Sequence, residues 1–134
     1  MSQDNVERCH AAYDAFNRRD LESSLELYRE DVELTPLAAA VSSSYRGTAG
    51  LRRYWSDLLD YFPDFTTEVL EVRDLDPFTL SAVRFRGRGA GSDAPFEQVV
   101  WQLAQWRDGR IAWWRSYRSE VEALEAAGEV PMKP

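Results

Sequence analysis

Cysteine and histidine each occur once in the 134 residues, adjacent at Cys9 and His10. One thiol cannot close an intramolecular disulfide, and one histidine among scattered carboxylates offers no ligand spacing for zinc or iron. Neither a disulfide scaffold nor a metal site is therefore expected, and no other cofactor is implied. Positive charge is also short: 16 Lys and Arg against 23 Asp and Glu leave a formal net charge of −7. Such a surface repels phosphate backbones and anionic lipids, which argues against a nucleic-acid partner. No apolar run approaches the ~20 residues of a membrane span, and the first ten residues are polar rather than basic then apolar. A cytoplasmic, reducing location is the expectation. Tandem repeats and low-complexity tracts are absent too, and the longest stretch without a period, Leu37 to Ser44, reads as a loop.

What is present is a large apolar complement, 44% hydrophobic and 13% aromatic residues with five tryptophans. That is enough for one core over residues 1–134. Asp4 and Glu7 form a capping-box-like start, and Val6, Cys9, Tyr13 and Phe16 follow at helical spacing. Asn17 lies in the same stripe and His10 at its flank. Asp20 is placed to cap a second helix with Leu21, Leu25 and Tyr28 on its apolar side. Asp31 to Thr35 alternates as a strand and Pro36 ends it. Thr48 is placed to cap a third helix bearing Leu51, Tyr54, Trp55, Leu58, Leu59 and Phe62, which Pro63 stops, with Arg53 and Asp57 opposite on water.

From Phe65 to Arg118 the pattern changes to strands, over Phe65–Leu75, Phe78–Arg88, Phe96–Arg107 and Arg110–Arg118, with turn signals between them. Ser119 with Glu122 is a second capping box, for a tail helix that Gly128 and Pro131 close. Helices followed by antiparallel strands predict an α+β layer with the helices on one face. The strand Phe96–Arg107 is apolar on both faces, Val100, Ala104 and Trp106 against Val99, Trp101 and Leu103. If helices cover one face, the other, which also receives Ile111, Trp113 and Tyr117, is expected to meet a second subunit in a homodimer.

Three segments, taken in order, resemble a known family. Tyr13-Asp14-Ala15-Phe16-Asn17-Arg18-Arg19-Asp20-Leu21 is similar to the first helix hairpin of SnoaL-like proteins of the nuclear-transport-factor-2-like superfamily. Tyr45-Arg46-Gly47 before the third helix is similarly placed. The third is the glycine-rich turn 87–92, followed by Arg107-Asp108-Gly109-Arg110-Ile111 and the tail Glu122 to Gly128. The resemblance covers nearly the whole chain. It implies a cone: a strongly curved antiparallel sheet around a central pocket, closed by three helices from the N-terminal half, with dimerisation through the sheet's outer face. It also implies a range of activities, from polyketide cyclase and ketosteroid isomerase to dehydratase or plain ligand binding, among which fold does not choose. Carried over residue by residue, the isomerase's tyrosine, base and acid fall on Ala12, Thr35 and Gln102. Ala12 has no polar group and Thr35 is no base near neutral pH, so steroid isomerisation by that route is not expected.

Strand parity gives the pocket candidates. If Val100, Ala104 and Trp106 face the helices, so do Gln98 and Gln102, and the last strand contributes Ala112, Trp114, Ser116 and Arg118. With Ser81, Val83 and Phe85 from the neighbouring strand, and Tyr13 and Trp55 from helices, the expected ligand-binding set is Tyr13, Trp55, Phe85, Gln98, Gln102, Trp114 and Arg118. Such a cavity suits a small apolar or aromatic metabolite bearing a carbonyl or carboxylate, and the aromatics also read as ordinary core. His10 is a candidate general base, or a half-exposed helix-flank residue. Glu33 is a candidate pocket carboxylate if its strand face is the inner one, or a solvated glutamate. Arg84, Arg86 and Arg88 alternate on the face opposite Val83 and Phe85 and are expected outside. Two functions remain open: an acid-base enzyme such as a cyclase, isomerase or dehydratase, or a non-catalytic binding module. Two titratable groups within reach of one ligand atom would mark the enzyme.

Overall fold

A computed structural model describes residues 2–36, 44–88 and 95–129. Four helices and six strands are described, in the order α1 (Ser2–Asn17), α2 (Leu21–Leu25), β1 (Tyr28–Thr35), β2 (Tyr45–Arg46), α3 (Gly47–Tyr61), β3 (Thr66–Leu75), β4 (Phe78–Arg88), β5 (Pro95–Arg107), β6 (Arg110–Tyr117) and α4 (Glu120–Glu129). The expected loop at 37–43 and most of the glycine-rich turn, 89–94, lie outside the described residues.

The six strands make one curled, unclosed sheet in the order β2-β1-β6-β5-β4-β3. The α+β cone expected from the sequence is therefore present. One pairing departs from an antiparallel sheet: β1 runs parallel to β6, with Leu34 beside Trp114. Alternation within a strand encodes its two faces but not the direction of a partner some eighty residues away, so this was not readable locally.

Local chemistry sets the element ends. Asp20 caps α2 through Ser23 N–H, accepting at 3.1 Å, and Ser119 Oγ accepts from Glu122 N–H at 3.2 Å at the start of α4. Helix α1 begins at Ser2, so Asp4 sits in its first turn rather than capping it. Helix α3 begins at Gly47 with no side-chain cap, so Thr48 is not the cap. Gly47 has φ +73°, and a Cβ there would come 3.3 Å from the Glu30 carbonyl oxygen, so both backbone and space call for glycine. Tyr28 belongs to β1 rather than to the second helix.

Two corrections concern the sheet's outer face. Helix α4 lies against it, burying Ala123 and Ala127 on Phe78, Leu80 and Leu103, and Arg73 holds Glu120 at 2.5 Å. This chain thus supplies much of the cover expected from a partner, leaving Trp101, Trp113 and Tyr117 partly buried around the helix. A bulge between Gln105 and Trp106 pairs Trp106 with Ile111 while Gln105 pairs with Trp113. The extra residue turns Ile111 into the core on the helix side, fully buried, although simple parity with Trp113 had placed it outside.

Arg84 and Arg86 do lie outside. Both pair with Glu68 and Glu97 across β3, β4 and β5, Arg84 reaching Glu68 at 2.8 Å. On α3, Asp57 is not simply on water: Tyr45 donates its hydroxyl proton to Asp57 Oδ2 at 2.7 Å, and the Arg53 guanidinium stands 5.3 Å from the Tyr45 ring.

Candidate functional site: a neutral cavity under the first helix

Between α1, α3 and the concave sheet lies a cavity of about 560 Å³ of empty space, its open mouth included. Helix α1 contributes Ala12, Tyr13 and Phe16, and α3 contributes Leu51, Tyr54, Trp55 and Leu58. Leu34, Thr35 and Pro36 line it from the end of β1, and Phe85, Gln102, Trp114 and Ser116 from the sheet floor. Tyr13 meets Trp114 edge to face, ring centroids 5.3 Å apart, and Phe16 meets Trp55 at 5.0 Å; such pairs favour fixed ring positions.

Five of the seven expected binding residues are thus brought together: Tyr13, Trp55, Phe85, Gln102 and Trp114. Gln98 is a correction. It pairs with Phe85 and shares the inner face, but it is exposed near the strand's start and does not line the cavity. Arg118 is another: β6 ends at Tyr117, so Arg118 falls past the strand, exposed. Neither catalytic candidate is in the cavity. His10 is exposed on α1. Glu33 points away from the lining and pairs with Arg46 at 2.8 Å. The positions carried over from the isomerase, Ala12, Thr35 and Gln102, all line the same cavity, but none of the three is an acid or a base near neutral pH.

Beside Thr35 and Thr67, the polar side chains on the sheet floor of the cavity, Gln102 and Ser116, belong to one rung across the sheet. Ser81, Gln102 and Ser116 stand opposite one another on β4, β5 and β6. Tyr13 donates its hydroxyl proton to Gln102 Oε1 at 2.6 Å, and Gln102 Nε2 donates to Ser116 Oγ at 2.9 Å. Behind them Cys9 Sγ lies 3.3 Å from Ser81 Oγ, Thr79 donates to Cys9 Sγ at 3.7 Å, and Trp106 Nε1 donates to Thr79 Oγ1 at 2.9 Å. Sequence parity placed Ser81 and Ser116 on the inner face; Thr79 and Cys9 joining the same network was not legible, because it depends on how α1 settles on the strands.

Burial raises the Tyr13 hydroxyl well above its ordinary value, with nearby Cys9 adding to the effect, and likewise raises Tyr28 and Tyr54. All three stay protonated at neutral pH. Among the described lining residues there is no Asp, Glu, His, Lys, Arg or Cys, and among the described residues no three His, Cys, Asp or Glu side chains cluster to hold a metal ion. The site can therefore solvate an oxygen and stack on rings, but it offers no charged group to move a proton.

Solved structures share this fold. A loop-truncation variant of IdmH, itself a candidate polyketide cyclase of Streptomyces antibioticus, is 26% identical with TM-score 0.71, covering 90% of this chain and 97% of that one. TerC co-crystallised with polyporic acid is 16% identical with TM-score 0.78, covering 92% and 98%. A protein of ketosteroid-isomerase-like fold from Catenulispora acidiphila, in complex with trimethylamine, is 15% identical with TM-score 0.75, covering 91% and 92%. No curated protein matches the sequence. The sequence model of the SnoaL-like domain matches residues 9–114, and with the sheet, the helices and the cavity in place the chain belongs to the SnoaL-like family.

Proposed function

We propose that this chain binds a flat, mainly apolar small molecule carrying a polar oxygen, and that it does so without acid-base catalysis. The observation that carries this reading is the lining: aromatic and aliphatic walls, neutral polar groups from Thr35, Thr67, Gln102 and Ser116, tyrosine hydroxyls kept protonated by burial, and no described titratable group that ionises near pH 7. A general base must reach the substrate proton directly or through one water, and the two sequence candidates, His10 and Glu33, lie outside. Of the two functions left open by the sequence, the binding module is favoured. That one protein of this fold was crystallised with polyporic acid supports a small organic ligand.

The proposed setting is a single domain over residues 1–134 in the cytoplasm, forming a homodimer through the sheet's outer face where Trp101, Trp113 and Tyr117 remain partly exposed. No described helix is long and apolar enough to cross a membrane. A thermal-shift screen of bicyclic and tricyclic ketones, quinones and hydrocarbons tests the binding reading. Hits should raise the melting temperature with the logarithm of ligand concentration above Kd, and Gln102→Leu should weaken oxygen-bearing hits by about 1–3 kcal/mol. A screen without a single stabilising compound, or hits unaffected by every lining substitution, would overturn it.

A further inference from the structure

The polar groups beneath α1 form a chain with a direction. Its head is the Trp106 indole N–H, which can only donate, and it donates to Thr79. Thr79, having accepted, gives its own proton to Cys9 Sγ. The thiol then faces Ser81 Oγ at 3.3 Å, a contact in which either atom can donate, and Ser81 stands opposite Gln102 on the neighbouring strand. Tyr13 passes its proton to Gln102 Oε1, which fixes the amide so that Nε2 faces Ser116. Every member up to Gln102 is buried, and the Tyr13 proton goes to Gln102 Oε1. Rotating the Gln102 amide by half a turn would set an N–H against the Tyr13 hydroxyl and leave the Tyr13 proton without its acceptor inside the core. Ser116 ends the chain. It has accepted from Gln102, no acceptor among the described residues takes its proton, and it lines the cavity.

We infer that Ser116 is held as a hydrogen-bond donor aimed into the cavity, so that the site selects ligands presenting an acceptor oxygen, such as a ketone or quinone carbonyl, and discriminates against N–H or O–H donors at that point. This deepens the binding reading above and rests on it. Gln102 and Tyr13 act here as positioning residues: they set which way Ser116 points without meeting the ligand oxygen themselves.

Three flat bicyclic probes of nearly equal size isolate the effect: 1-indanone offers only an acceptor, indole mainly a donor, and indane neither. Dissociation constants come from two-dimensional NMR titration of the full chain. In the wild type, indanone should bind about three- to tenfold more tightly than indane, the worth of one net hydrogen bond, and indole no better than indane. Ser116→Ala should bring indanone to the affinity of indane for the same variant, and a two-dimensional amide spectrum dispersed like the wild type's shows that the variant has folded. Tyr13→Phe frees the Gln102 amide to turn, so Ser116 gives its proton to Gln102 Oε1 and presents a lone pair outward; the preference should then move from indanone towards indole. A merely structural role for Tyr13 would weaken all three probes together. Wild-type protein that binds indole as tightly as indanone, or Ser116→Ala protein that keeps the indanone preference, would overturn the inference while leaving the binding reading intact. Binding of none of the three by wild type would overturn both.

Discussion

Asn17 grips Thr67 as a strand neighbour would: its Nδ2 donates to the Thr67 carbonyl at 2.8 Å and its Oδ1 accepts from the Thr67 amide at 2.9 Å. The Thr67 hydroxyl adds a third bond to Oδ1 at 3.1 Å. A side-chain amide thereby ties the end of α1 to the edge strand β3. Because these groups are partly solvated, Asn17→Ala should cost about 1–2 kcal/mol of stability, read by urea denaturation with an unchanged slope. Asn17→Asp keeps the acceptor and loses the donor, and should fall at or below the alanine variant in stability because a carboxylate then faces the Thr67 carbonyl.

Trp114 is a wall of the cavity and packs on Tyr13 and Tyr28, with centroids at 5.3 and 6.2 Å. The ring is only partly buried, so Trp114→Ala should destabilise by about 2–4 kcal/mol, short of the full cost of emptying a sealed site. Ligand binding should be lost in parallel. A variant melting like the wild type would show the ring to be poorly packed.

Tyr13, Tyr28 and Tyr54 have hydroxyls raised by burial, and burial raises Cys9 from its reference value of 9.0. A raised folded-state value means that the folded protein holds the proton more tightly than the unfolded chain. That stability is complete below the unfolded value and declines as pH climbs past it. The melting temperature should therefore be insensitive to these groups from pH 6 to 8, begin to fall above about pH 9 as the Cys9 contribution is lost, and fall further above about pH 10 as those of the tyrosines follow. Absorbance at 295 nm should show part of the six tyrosines ionising only on unfolding. Ligand affinity should be level between pH 6 and 8, since no described lining group titrates there; a pronounced step in that window would contradict the neutral cavity.

Helix α4 rests on Ala123, which has no exposed surface. Ala123→Glu would force a carboxylate against Phe78, Leu80 and Leu103 and should detach the helix or cost several kcal/mol, on the order of 3. Proteolysis near the C-terminus should quicken accordingly. Val121→Glu, on an exposed residue of the same helix, is the control and should behave as wild type.

For the assembly, sedimentation should give about twice the 15.4 kDa chain mass. Trp101→Glu, at the partly buried rim of α4, should shift the protein to monomer, because an unpaired charge would be carried into an apolar contact. A wild type that sediments as a monomer at micromolar concentration would rule out the dimer.

The four strands from Phe65 onward were legible because their alternation is strong: Phe78–Arg88 was read to the residue and the other three within one, whereas the first strand, expected from Asp31, begins at Tyr28 and the short β2 was not expected. Gln102 followed from that parity, and the register between β4 and β5 carries no bulge to undo it. Gln98 shared the correct face yet missed the cavity, since parity says which side a residue takes but not how far along the strand the helices extend. Ile111 was misplaced by one inserted residue opposite Gln105 and Trp106, which no local signal marks. The cover from α4 was missed for a different reason. Its contact residues are alanines, too small to announce a buried face, so the apolar outer side of β5 was assigned to another subunit.

The parallel pairing of β1 with β6 joins residues 28–35 to residues 111–115, and this has a consequence for synthesis. A strand made among the first forty residues must wait for the last quarter of the chain before it has its neighbour. Until then Leu34 and Trp114, side by side in the lining of the same cavity, are on different sides of the ribosomal exit, and the cavity does not exist. Closure of so long a loop is slow compared with forming the β3–β4 or β4–β5 hairpins. The hairpins should be complete first, with the N-terminal strand and its helices arriving last as the lid that turns a bent sheet into a receptacle.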